Sequence, residues 1–181
     1  MELSQALEQR CSVRRFKDDP IPPAVLQRVL EAARRAPSWA NAQPARWIVV
    51  TDPAIKAKLA PCLSPGNPSS AAILKAPVVL ALCFVKKRSG YYKGTPSTSL
   101  GDWGLFDAGL AAANLSLAAV AEGLGTVHVG AINLELAAET LQVPADVQLV
   151  ELIPLGYPEQ WPNKTTRLEL EKIVSHEKYG S

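Results

Sequence analysis

Arg10, Ser12, Arg14 and Arg15 fall within six consecutive residues of the stretch RCSVRRF. If that stretch is extended, positions 10, 12 and 14 project to one side, so two guanidinium groups and a hydroxyl converge on one phosphate or other anion. Arginine suits such a ligand because its planar fork donates parallel hydrogen bonds to an oxyanion. Taken alone, a solvated basic turn ahead of a helix explains the same residues. A second polar group, Ser38, Asn41 and Gln43, lies in RAPSWANAQPARW, which carries more than a helix-to-strand connection needs. Near the other end, Arg167 stands with Lys164, Thr165 and Thr166 just before the apolar residues Leu168, Leu170, Ile173 and Val174. The tetrapeptide GLGT, residues 123–126, reads equally as a helix C-cap and as a ligand contact.

Other chemistries are excluded by what the chain lacks. There is no Walker A loop, no GxGxxG after a strand and no GxSxG. The cysteines Cys11, Cys62 and Cys83 have no CxxC spacing, and their odd count argues against a disulfide framework, which predicts a reducing, cytoplasmic setting. His128 and His176 stand apart from any other ligand type, so no metal site is expected. A net charge of +2 over 181 residues is too small for a nucleic-acid surface. No signal peptide is expected from MELSQALEQR, and the apolar run Ala108 to Ala121 is shorter than the roughly 20 residues that span a bilayer, so it reads as a core helix.

The elements that must position these residues follow from periodicity. Leu3, Ala6 and Leu7 predict a short helix ending near Arg10, followed by an extended RCSVRRF. Pro23 opens a helix with Val25, Leu26, Val29, Leu30 and Ala33 on one face, and Pro37 stops it. Trp47 to Val50 is a short strand; Thr51 or Asp52 caps the helix that Pro53 opens; AAILKA is a helical turn. The continuous apolar run PVVLALCFV predicts a strand covered on both faces. Residues 86–102 form a long polar loop containing Tyr91 and Tyr92, a length usually reserved for function or disorder. Trp103 to Glu122 is apolar almost all round, which calls for cover on every side, either as a central helix or at a subunit interface. A strand VHVGAI, a helix NLELAAETLQ and a buried strand QLVELIPLGYP complete one domain over 1–181, an α/β or α+β sandwich with helices on both faces of a sheet.

Four segments, in order, resemble the FMN-dependent nitroreductase family. RCSVRRF resembles that family's Arg-x-Ser-x-Arg/Lys opening, and APSWANAQPARWIVV its Ala-Pro-Ser-x-x-Asn-x-Gln-Pro segment. DAGLAAANLSLAAVAEGLGTVHVG is similar to its central helix with Gly-Leu-Gly-Thr, and LGYPEQWPNKTTRLELEKIV to its closing segment. The resemblance implies an α+β three-layer sandwich around a mixed, mainly antiparallel sheet, in an intertwined homodimer with FMN at each interface site.

By the same resemblance, Arg10 grips the phosphate beside Ser12, Arg14 reaches the N1/C2=O side of the ring, and Arg167 is a second phosphate contact. Gly123, Leu124, Gly125 and Thr126 pass close to the ring or ribityl chain, and Pro37, Ser38 and Asn41 approach the flavin, often from the partner subunit. The implied activity is ping-pong transfer of hydride from NADH or NADPH, through flavin N5, to an electron-poor small molecule such as a nitroaromatic or quinone. Flavin cleavage, dehalogenation, azoline oxidation and flavin binding without turnover remain open alternatives. Ala45 departs from the family, which often has tryptophan there; Trp39 or Trp47 is expected to fill the gap. The Tyr91/Tyr92 loop and Trp103 are expected to wall or cover the ring.

Overall fold

The computed structural model describes residues 1–180. The centre of the molecule is β2 (Val78–Val85), whose side chains alternate between two apolar layers. Val79, Ala81 and Cys83 enter a cluster with Leu59, Ile73 and Ala137, whereas Val78, Leu80, Leu82 and Phe84 enter one with Val29, Ala33, Ala108, Leu115 and Ala119. An unbroken apolar strand is therefore the middle layer of three.

The first cluster is roofed by α3 (Pro53–Leu59), α4 (Ser70–Lys75) and α6 (Leu134–Thr140), the second by α2 (Pro23–Arg34) and α5 (Gly104–Ala121). A short α1 (Leu3–Gln9) lies against α5. The sheet runs β1 (Ala45–Val50), β2, β6 (Val147–Gly156), β5 (Gly125–Thr126), each neighbour antiparallel. A parallel bridge from Ser12 to Thr126 extends it, so the sheet is mixed and mainly antiparallel, as expected.

Local chemistry sets the ends of these elements. Pro53 opens α3 and the Asp52 carboxylate accepts the Ala54 N–H, a cap worth about 1 kcal/mol. At the end of α5, the N–H of Leu124 donates to the Ala119 carbonyl and that of Gly123 to Val120, a Schellman closure that requires the positive φ of 75° at Gly123.

One expectation is corrected. The stretch VHVGAI is not a strand: the ladder covers only Gly125 and Thr126, with one further bridge from Val129 to Leu152. The residue facing Val127 is Pro154, which has no N–H to return, so the pairing is interrupted there. The apolar tail after Arg167 forms only a 3-10 turn, Leu170–Lys172. Leu168, Leu170, Ile173 and Val174 stay exposed because nothing within the chain packs on them.

The 86–102 loop is not structureless. It contains a hairpin of β3 (Tyr91–Tyr92) and β4 (Thr95–Pro96), turned by Lys93 and Gly94 at φ of 49° and 81°. Helix α5 is the one helix among the described residues long and apolar enough to cross a membrane by composition, but half of it is buried in this core.

Candidate functional site

The basic segment is held in place by its own apolar residues. Val13 and Phe16 are buried in the cluster under α3 and α4, so Ser12 and Arg14 turn outward. The Val13 N–H donates to the Thr126 carbonyl at 2.9 Å, Lys17 N–H to Tyr157, and Glu159 N–H to Arg15. Residues 12–17 are thus strapped between β5 and the segment after β6. The approach to β5 is close: a Cβ on Gly125 would lie 2.5 Å from Val13 Cγ2, so only glycine lets the two backbones meet.

This strapping builds two cavities. One, of about 610 Å3, is lined by Ser12, Arg14, Arg15, Glu159, Gln160 and Trp161 among others. The second, of about 220 Å3, is lined by Arg10, Lys164, Arg167, Glu8, Leu7, Cys11 and Thr165. The expectation that Arg10, Ser12 and Arg14 converge on one anion is therefore divided: Ser12 and Arg14 share one cavity, and Arg10 lines the next with Arg167. Arg10, Lys164 and Arg167, from opposite ends of the chain, line this cavity together with Glu8, and Arg167 Nη1 donates to Thr165 Oγ1 at 2.6 Å; lysine and arginine are donors suited to a phosphate. Lys164 joins them; position beside Arg167 was its only signal in the sequence.

Gly123, Leu124, Gly125 and Thr126 close α5 and enter the sheet beside Ser12; Leu124, Gly125 and Thr126 are buried.

Pro37, Ser38 and Asn41 lie in a turn at the other end of α5. The backbone here is strained: Ala40, Asn41 and Gln43 all have positive φ, at 44°, 56° and 49°. Alanine in that region costs roughly 1–2 kcal/mol, and the surroundings hold it. The Ser38 hydroxyl accepts the Gln43 N–H at 2.9 Å, and both Asp107 oxygens accept the Trp39 N–H at 3.2 Å. Neither tryptophan fills the gap at Ala45, which remains a cavity of about 280 Å3 behind this turn. Trp47 walls it, and Trp39 packs at a 47° tilt against Trp103, centroids 4.8 Å apart. The turn and the basic segment are separate surfaces of one chain.

Asn67, Ser69 and Ser70 hold their own loop: Asn67 Oδ1 accepts the Ser69 N–H and the Ser70 hydroxyl donates to the Asn67 carbonyl. A further cluster was not legible in sequence. His128 Nε2 lies 2.9 Å from Ser116 Oγ, and its Nδ1 2.9 Å from Glu151 Oε1. The residue types are those of a hydrolase triad, but Ser116 is buried and sits within hydrogen-bond range of the Ala112 carbonyl, at 2.9 Å, out of reach of a substrate. The cluster instead ties α5 to β6, where Glu151 pairs with Leu82 and shares the α5 side of the sheet with Ile153 and Leu155. No cluster of three metal-ligating side chains occurs among the described residues.

Comparison with known proteins matches these elements. The model of the nitroreductase family covers residues 7–72 and 64–157, which include the basic segment, the strained turn and the Gly-Leu-Gly-Thr closure of α5. The chain is 31% identical to an FMN reductase [NAD(P)H] of Bacillus subtilis, over 98% of this chain and 74% of that protein. It is 29% identical to an NADH dehydrogenase of Thermus thermophilus, over 96% and 95% of the two chains. Among solved structures, a nitroreductase family protein from Clostridium novyi superposes with a TM-score of 0.80 at 30% identity, over 91% of this chain and 89% of that one. The family model spans most of the chain, a relative at 31% identity covers nearly all of it, and the chain belongs to the nitroreductase family.

Proposed function

We propose that the protein is an FMN-dependent NAD(P)H oxidoreductase that reduces electron-poor small molecules, nitroaromatics or quinones, and works as a homodimer with FMN at the subunit interface. The observation that carries this reading is the cavity shared by Arg10, Lys164 and Arg167, next along the chain from the cavity of Ser12 and Arg14. The first carries three cations for a phosphate, and the second carries Arg14 for a planar ring. The Bacillus subtilis relative, named as an FMN reductase using NAD(P)H, supports the same cofactor and reductant.

When bound, FMN would supply two-electron chemistry between NAD(P)H and the acceptor. The chain's own residues bind and orient. Arg10, Lys164 and Arg167 would hold the phosphate through charge-assisted hydrogen bonds. Arg14 would place a fixed cation beside the ring, which raises its affinity for electrons. Gly123 to Thr126 would lie along the ring or ribityl chain, and Pro37, Ser38 and Asn41 would face a flavin held by the partner subunit. No side chain is assigned as a general acid or base.

Dimerisation is supported by apolar surface that the single chain leaves uncovered. Leu105, Phe106 and Ala113 form an exposed apolar side of α5, and the tail exposes four large apolar residues. Contiguous patches of this kind mark interfaces.

The test is direct. The purified protein should carry, or take up, a yellow chromophore, and anaerobic mixing with NADH or NADPH should bleach it rapidly. A protein that binds FMN but is bleached by neither would be a binder without turnover; one that takes up no FMN overturns the reading.

A further inference from the structure

Asp107 lies in the first turn of α5 and is buried, with 3% of its surface exposed. Its two oxygens accept the backbone N–H of Trp39, and Oδ2 also accepts the Ser89 hydroxyl at 2.5 Å. These donors belong to different loops. Trp39 sits between Ser38 and Asn41 in the strained turn, and Ser89 precedes the Tyr91–Tyr92 hairpin. The two loops also meet through the rings of Trp39 and Trp103. Trp103 in turn packs on Gly90, where a Cβ would lie 2.5 Å from Cδ1, and the Trp103 backbone N–H donates to the Ser89 carbonyl.

We propose that Asp107 is a positioning residue: a single buried carboxylate fixes the Ser38–Asn41 turn and the Tyr91–Tyr92 hairpin relative to each other and so shapes the acceptor site between them. The inference rests on the reading that the turn faces a flavin. A buried carboxylate is stable only while its oxygens are hydrogen-bonded. Here each loop supplies a donor, so displacing either leaves the charge under-satisfied, and the two are held together. Asparagine can reproduce the arrangement, with Oδ1 accepting from Trp39 and Nδ2 donating to a rotated Ser89 hydroxyl. Alanine cannot.

The test compares FMN-loaded wild type with Asp107→Ala, Asp107→Asn and Ser89→Ala by amide hydrogen exchange and acceptor kinetics. Asp107→Ala should raise exchange at least tenfold in both 38–43 and 87–103 while β2 is unchanged. Asp107→Asn should stay within threefold of wild type, and Ser89→Ala should loosen 87–103 alone. With a nitroaromatic acceptor, KM should rise at least tenfold in Asp107→Ala and kcat change less than threefold. Equal loosening in the alanine and asparagine variants, or loosening spread through β2, overturns the proposal. If Asp107→Ala does not fold, an unchanged 87–103 in Ser89→Ala overturns it, and selective loosening supports it. Should the wild type hold no FMN, the proposed function fails, while exchange on the flavin-free chain still decides the role of Asp107.

Discussion

Gly125 and Val13 approach so closely that a Cβ on the glycine would fall 2.5 Å from Val13 Cγ2 and 2.7 Å from its Cβ. Val13 is fully buried, so it cannot swing away as an exposed chain end would. Gly125→Ala must therefore push the Arg10–Arg14 segment off the edge of the sheet. Overpacking of this kind costs about 1–3 kcal/mol. A lowered melting temperature and at least a tenfold weaker FMN titration are expected together; a stable variant with unchanged affinity would show that the segment's position does not set the site.

The cavity assignments separate Arg10 from Arg15. Arg10 shares its cavity with Lys164 and Arg167, whereas Arg15 lines the larger cavity beside Glu159. Removing a charge-assisted hydrogen bond costs about 1.5–3 kcal/mol, or on the order of 10–100-fold in affinity. Arg10→Ala should lose FMN by that factor in a fluorescence titration, and Arg15→Ala should lose far less. Equal losses would refute the phosphate assignment.

The thiols should differ in reactivity. Burial pushes Cys83 up to about 11 and raises Cys62 as well, so both stay protonated and shielded at pH 8. Cys11 is half-buried, on the wall of the Arg10 cavity. Brief treatment of the flavin-free protein with iodoacetamide at pH 8 should give one adduct, at Cys11, by mass spectrometry. Three adducts should appear only in denaturant.

On α2, hydrogen bonds from Arg34 and then Arg35 hold the Glu31 carboxyl at about 2, well below its ordinary 4.5. Because the folded value is the lower one, the pair's contribution is complete above pH 4.5 and is lost as pH falls toward 2. Both partners are exposed, so the effect is local and screened by salt. An NMR titration of the Glu31 carboxyl should show a midpoint near 2 that moves upward in Arg34→Ala.

Much of this architecture was legible in the sequence because one short-range rule decided it. PVVLALCFV announced a two-sided strand, Pro53 with Thr51 or Asp52 before it a helix start, and GLGT, in one of its two readings, a helix end. What failed depended on partners remote in sequence. VHVGAI has strand-forming residues, but Pro154 opposite Val127 breaks the ladder. Asp107 reads as one polar residue in an apolar helix, and its role follows only from Trp39 and Ser89, which folding brings to it. The split between the Arg10 and Arg14 cavities likewise depends on residues 159–167, which no local periodicity places.

The uncovered side of α5 gives the last prediction. Ala113 is exposed at the middle of that helix, on a turn whose opposite side, Ala111, Ala112 and Leu115, is buried in the core. A glutamate at 113 would meet water in an isolated chain and change its stability little. In a dimer that covers α5, the same side chain would bury an unpaired charge, which is costly enough to separate subunits. Ala113→Glu is therefore expected to sediment as a folded monomer in analytical ultracentrifugation. Because Ser38 and Asn41 are assigned to the flavin of the other subunit, that monomer should also bind FMN at least tenfold more weakly. A dimeric Ala113→Glu would move the interface off α5, and a monomer with full FMN affinity would place the whole site within one chain.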